Sequence, residues 1–242
     1  MSTVNEHYAH HLGPVYLWMA GGADAALSAG GAELSAFVSP LQAGSLVVDL
    51  GAGFGTHSIP LARRGMRVIA IDSCAELLNT MKALGGELPI TRVESDLLTF
   101  QSHIEEPPAA ILCMGDTITH LRKLEEVEAL LDLVSAELSC GGLFVISLHD
   151  YSMAVTGDQR FIPVRSDDTR ILTCFLEYER DAVVVHDILH ERTPAGWRTQ
   201  VSHYRKLRLS IDELTLSMRK HGFNVRRQTG VSGMVCLLAQ LA

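Results

Sequence analysis

The chain has 242 residues, 47% of them hydrophobic, and a net charge of −8. That is enough apolar material for a sizeable core, and the charge has the wrong sign for a nucleic-acid-binding face. No apolar run approaches the ~18 residues of a transmembrane helix, so no membrane partner is expected.

The opening MSTVNEHYAHH lacks a basic-then-apolar leader pattern. The five cysteines, Cys74, Cys113, Cys140, Cys174 and Cys236, are odd in number and scattered. They read as reduced thiols of a cytoplasmic protein, not as disulfides or a zinc site. Residues 1–43 form an arm ahead of the core. Leu12 to Met19 suggests a helical or turn-rich segment, Gly21-Gly22 breaks it, and Ala23 to Val38 predicts a helix ended by Pro40. Tyr8, Tyr16 and Trp18 are candidates for an aromatic lid. His7, His10 and His11 share the arm, but their spacing matches no metal-ligand device.

Leu46 to Leu50 is a short apolar run carrying one acid, Asp49, as in a buried parallel strand. Gly51, Gly53 and Gly55 follow at alternate positions, and Thr56 opens an amphipathic stretch closed by Gly65. Strand, glycine-rich turn and helix in that order bind nucleotide-like ligands at the carboxyl edge of a parallel sheet. A dinucleotide fingerprint would place its third glycine at Thr56, and Asp49 before the turn repels a pyrophosphate. Further strands are predicted near 67–71, 90–94, 109–114 and 143–148, with helices near 56–64, 74–84 and 122–139. The first three of those strands end in Asp72, in Glu94-Ser95-Asp96 and in Gly115-Asp116-Thr117.

After the fifth strand the period changes. Arg170 to Tyr178, Ala182 to Leu189 and Trp197 to Arg205 alternate apolar and polar residues, which predicts three antiparallel strands. A helix resumes at Ser210, whose spacing to Glu213 fits a capping box. Phe223 to Gln228 and Met234 to Leu241 complete the sheet. The expected fold is α/β: a doubly wound, seven-stranded, mostly parallel sheet, with an antiparallel β cap inserted at about residues 151–208. All of it belongs to one domain spanning 1–242.

These landmarks together resemble class I S-adenosylmethionine-dependent methyltransferases, of the type acting on small molecules. The resemblance implies S-adenosylmethionine as cofactor and a small-molecule acceptor, with a homodimer as the self-association to consider. It implies cofactor contacts from Asp49, Gly51, Ala52 and Gly53 at the first motif, and from Asp72 and Ser73 at the ribose. Asp96 and Leu97 would meet the adenine, and Met114, Gly115 and Asp116 would lie on the fourth-strand loop. The Gly115 to Leu121 segment looks like the corresponding loop of glycine N-methyltransferase-like enzymes. Those relatives carry an Arg-Asn-Tyr after the fifth strand, whose arginine holds the substrate carboxylate. Here His149-Asp150-Tyr151 stands there, so glycine and sarcosine are doubtful acceptors, and Arg160 or Arg165 would have to replace the clamp.

Methyl transfer from a sulfonium requires alignment and exclusion of water more than acid–base chemistry. His120 and His149 are the candidate bases, because histidine titrates near neutrality, and Tyr151 is a candidate orienting group. Two other readings stand beside this one. A non-catalytic S-adenosylmethionine-binding protein would share the motifs but lack a substrate pocket. An NAD-dependent oxidoreductase would use Asp72 in the same way, but Asp49 and Thr56 disfavour it.

Overall fold

The computed structural model describes residues 3–35, 37 and 41–242. A helical arm comes first: α1 (Val4–His7), a π-helical turn over Tyr8–Leu12 and α2 (Gly13–Met19). Thr3 and Glu6 close a capping box on α1, which satisfies two otherwise unpaired donors. Helix α3 covers Ala23–Ser35. Its expected end at Val38 and Pro40 lies outside the described residues.

The core alternates β1 (Leu46–Leu50), α4 (Ser58–Arg63), β2 (Arg67–Asp72), α5 (Ala75–Gly85), β3 (Ile90–Glu94), β4 (Ala110–Cys113), α6 (Leu124–Glu137) and β5 (Leu143–Leu148). The cap sheet follows as β6 (Phe161–Ser166), β7 (Arg170–Tyr178), β8 (Ala182–Thr193) and β9 (Gly196–Leu207). Then come α7 (Ile211–Lys220), β10 (Phe223–Thr229) and β11 (Val235–Leu241).

The main sheet has seven strands in the order β10-β11-β5-β4-β1-β2-β3. The neighbours from β5 to β3 all pair parallel, while β11 runs antiparallel to both β5 and β10. Strand order reverses between β1 and β4, so the crevice beyond their carboxyl ends is where such a sheet binds its ligand. Both faces are covered because the strands alternate. Val48, Leu50, Ile111 and Ile146 join α6 and α7 on one side, and Val47, Val68, Leu112 and Val145 join α3, α4 and α5 on the other.

The cap has four antiparallel strands, β6-β7-β8-β9, where the alternation predicts three. The extra strand, β6, is an edge strand exposed along its whole length and carries Pro163. Proline masks a strand signal yet is tolerated at an edge, where one side of the backbone needs no partner. The inner face of the cap receives the arm: Leu12 and Val15 pack on Leu172 and Leu189, each side chain contributing about 1.5–3 kcal/mol by burial. A buried polar rivet completes the joint. His7 Nε2 donates to Asp187 Oδ2 at 2.8 Å, Ser202 Oγ lies 2.8 Å from His7 Nδ1, and Cys174 Sγ donates to Asp187 Oδ1 at 2.7 Å. All five cysteines are free thiols. Among the described residues no helix is long and apolar enough to cross a membrane.

Candidate active site

The turn after β1 is shaped by close packing as much as by ligand access. Gly51 has φ +70°, and a Cβ there would lie 2.4 Å from Thr117 Oγ1; one on Gly55 would lie 2.8 Å from Met81 Cγ. A Cβ on Gly53 would meet nothing within 4 Å. So Gly51 and Gly55 are needed for contacts within the protein, while Gly53 faces open space. The backbone N–H groups here are already engaged: Gly51 and Ala52 donate to Ile71 O, Gly55 to Ala52 O, and Gly53 to Asp72 Oδ2 at 2.7 Å. A turn whose donors point inward is no cradle for a pyrophosphate.

Beyond the turn lies a cavity of about 740 Å³. Of the residues expected to contact a cofactor, Gly51, Ala52, Gly53, Asp72, Ser73, Asp96, Leu97, Met114 and Gly115 line it. Asp72, at the tip of β2, also accepts from Cys74 N at 2.8 Å; burial raises its carboxyl despite these donors. Asp96 caps the following 3-10 turn through Leu98 N at 2.8 Å while facing the cavity. Asp49 is not on the wall. It is 1% exposed beneath the turn and accepts from Ser58 Oγ at 2.6 Å, and burial raises its carboxyl.

Of the three candidate catalytic residues, His120 alone lines the cavity. It stands 5.6 Å from the rings of both Tyr8 and Tyr204, and its Nε2 is enclosed without a hydrogen-bond partner among the described residues. Burial, reinforced by the Lys206 ammonium, pushes its imidazole down to about 3. His149 and Tyr151 sit behind the wall, gathered with Asp116 around one buried charge. Asp116 Oδ2 accepts from His149 Nδ1 at 2.8 Å, Lys206 Nζ at 2.8 Å and Tyr151 OH at 3.1 Å. Its Oδ1 accepts from His149 N at 2.7 Å. Burial would raise the Asp116 carboxyl, but Lys206 and His149 hold it well below the usual range. Lys206 is likewise held well up, since Asp116 outweighs burial. Burial pushes Tyr151 up to about 12. His149 is raised by its bond to Asp116, and its Nε2 donates to Ser232 O at 3.1 Å, so both ring nitrogens suit an imidazolium.

Lys206, which lines the cavity, escaped the sequence reading. Its only signal is phase: on β9 it shares a face with buried Tyr204, while Arg205 between them is exposed. Glu33 and His57, joined at 2.9 Å, also line the cavity unforeseen. The lid residues divide. Tyr8 and Tyr16 line the cavity, and Ser73 Oγ donates to Asn5 Oδ1 at 2.9 Å, so the arm forms one wall. Trp18 turns to the cap instead, its Nε1 donating to Asp167. Neither arginine suggested as a clamp reaches the cavity: Arg160 stacks over Phe175 at 4.9 Å and Arg165 lies over Trp18 at 5.9 Å.

The open Gly53 face, the Asp72 carboxylate and two atoms of the cavity wall that are buried without a partner among the described residues, Glu33 Oε1 and His120 Nε2, fit an adenosyl amino acid with a hydrogen-bonding acceptor beside it. Comparison with known proteins agrees. Residues 47–142 match a family described as "Methyltransferase domain". The glycine/sarcosine N-methyltransferase of Aphanothece halophytica is 28% identical over 109 residues, 44% of this chain and 41% of that protein. The chain thus spans well under half the length of that relative. The cypemycin N-terminal methyltransferase of Streptomyces sp is 29% identical over 211 residues, covering 84% and 82%. Among solved structures, the CcbJ methyltransferase of Streptomyces caelestis superposes with a TM-score of 0.79 over 97% of this chain and 98% of that one, at 20% identity. The sugar N-methyltransferase KedS8 from Streptoalloteichus sp ATCC 53650 gives 0.74 over 94% and 92%, at 12%. Identities that low speak for the fold alone.

Proposed function

We propose that this class I S-adenosylmethionine-dependent methyltransferase delivers its methyl group to the nitrogen of a small, uncarboxylated amine. S-adenosylmethionine supplies a methyl group already activated on sulfur. The residues have to present a neutral nucleophile and exclude water. The observation that carries the reading is His120: a neutral imidazole whose enclosed Nε2 has no partner among the described residues, beside a fixed Lys206 ammonium.

An imidazole pushed down to about 3 is too weak a base to ionise a phenol, whose pKa is roughly 10. It can still accept a hydrogen bond from an amine N–H and fix the direction of the lone pair. The neighbouring Lys206 charge disfavours a second cation and so favours the unprotonated, reactive amine. Each lysine and arginine of the cavity wall is already paired: Lys206 with Asp116, Arg122 with Glu126, and Arg205 with Glu179 and Asp181. An acceptor carboxylate therefore meets no unpaired lysine or arginine there, which disfavours amino acids. His149 and Tyr151 act at one remove, by holding Asp116 and Lys206 in place. The N-methyltransferases among the relatives and the net charge of −8 support an amine acceptor over a nucleic acid. The five free thiols suit a reducing, cytoplasmic setting.

The test incubates the protein with S-adenosylmethionine and three acceptor panels: amines, amino acids and phenols. Release of S-adenosylhomocysteine and the mass of the product are followed. Turnover confined to uncarboxylated amines is expected; turnover of phenols or amino acids alone would refute the assignment.

A further inference from the structure

We infer that Glu33 is the residue that takes the α-ammonium of the cofactor's amino-acid end. This rests on the cofactor being S-adenosylmethionine. Helix α3 touches the glycine turn directly: a Cβ on Gly30 would come within 2.1 Å of the Thr56 carbonyl oxygen. Glu33 is three residues on, hence on the same helix face, and is carried to the cavity wall beside that turn. Its side chain is 11% exposed. Oε2 accepts from His57 Nε2 at 2.9 Å, while Oε1 is enclosed and has no partner among the described residues. Buried acceptors are ordinarily paired, so Oε1 calls for a donor from a ligand.

The surroundings select which donor. The N–H groups of Gly51, Ala52, Gly53 and Gly55 are engaged within the protein, so the turn offers them to no anion. Asp49 lies near both His57 and Asp72, and Glu33 already holds His57, so the turn end is acidic. The cofactor carries two cationic centres, and only the ammonium has N–H bonds to give; a sulfonium has none. Glu33 therefore reads the amine, and His57 keeps the carboxylate turned toward it.

Calorimetric titration of the whole protein tests this with three ligands: S-adenosylhomocysteine, its decarboxylated analogue, which keeps the amine, and its deaminated analogue, which keeps the carboxylate. The deaminated compound should bind about 10- to 100-fold more weakly than S-adenosylhomocysteine, the range for one charge-assisted hydrogen bond. The decarboxylated compound should bind more tightly than the deaminated one. Glu33→Gln should weaken S-adenosylhomocysteine about tenfold or more by losing that charge and leave the affinity for the deaminated compound unchanged. Equal binding of the deaminated compound and S-adenosylhomocysteine by the wild type overturns the inference. So does a folded Glu33→Gln variant, checked by circular dichroism, that keeps wild-type affinity for S-adenosylhomocysteine. If that variant does not fold, the wild-type ligand series decides alone. A wild type that binds none of the three overturns the cofactor assignment itself, and this role with it.

Discussion

At the glycine turn most of the cavity wall comes from neighbours in the chain: Gly51, Ala52, Gly53 and His57 belong to one strand–turn–helix unit. Toward the cap the wall joins distant residues. Lys206 and Asp116 are 90 positions apart, and His7 and Asp187, which fasten the arm to the cap, are 180 apart. The turn end gathers acids around a backbone with few free donors. The cap end centres on one buried cation beside a neutral imidazole. Local sequence thus builds most of the turn end, and long-range contacts build the cap end, which the proposed reading assigns to the acceptor.

The sharpest break of that contrast is Asp116→Ala. It leaves Lys206 buried with no counter-charge, and removing one partner of a buried pair costs about 3–5 kcal/mol. Chemical denaturation should show that loss. A variant as stable as the wild type would mean that Lys206 reaches solvent. Gly51→Ala attacks the turn end, where φ is +70° and a Cβ lies 2.4 Å from Thr117 Oγ1. Strain alone should cost roughly 1–3 kcal/mol, with S-adenosylhomocysteine affinity falling alongside. Asp72→Ala should weaken that ligand at least about tenfold, since each charge-assisted bond is worth ~1.5–3 kcal/mol, and should lower the melting temperature too, because Gly53 N and Cys74 N lose their acceptor.

His120→Ala should separate the two ends. Turnover of the accepted amine is expected to fall about 100-fold through lost alignment, while S-adenosylhomocysteine binding by calorimetry stays the same. The pH dependence carries its own sign. His120 is pushed down to about 3 when folded and titrates near roughly 6.5 when unfolded. Its contribution to stability is therefore present above about 6.5 and lost as pH falls toward about 3. His149 is raised on folding, so its contribution is present below the unfolded value of about 6.5 and lost as pH rises through its folded one. His120→Gln should flatten the acid limb of a stability–pH curve, and His149→Gln the neutral limb. Trp18→Phe is the mildest change: it removes one exposed hydrogen bond to Asp167, the melting temperature should barely move, and ligand binding should not respond.

Five core strands, the glycine turn and the cap were legible in the chain because each rests on local periodicity or on glycine chemistry. Strand β6 was not, because Pro163 and its neighbours carry no inward-facing pattern along an exposed edge. Asp72 and Asp96 announce themselves as acids at strand ends, and His120 as a histidine on a sheet-edge loop. Asp49 shows the limit of that logic. Its position in the motif was plain, but whether its carboxylate faces a ligand or a serine depends on how α4 docks. Lys206 and Glu33 sit in a strand and a helix whose patterns look ordinary.

By itself, then, the order of residues determined the alternating α/β layout, the acid-preceded turn that disfavours a pyrophosphate, and the row of acids at the sheet edge, since backbone preference and burial period act between near neighbours. Only the tertiary structure decided which of those acids face the cavity and which are tied up beneath it. It also decided that a lysine from the cap meets Asp116, and that α3 carries Glu33 to the turn. Those outcomes depend on the mutual approach of elements far apart in the chain, where desolvation and pairing, not local preference, determine the charge state of each group.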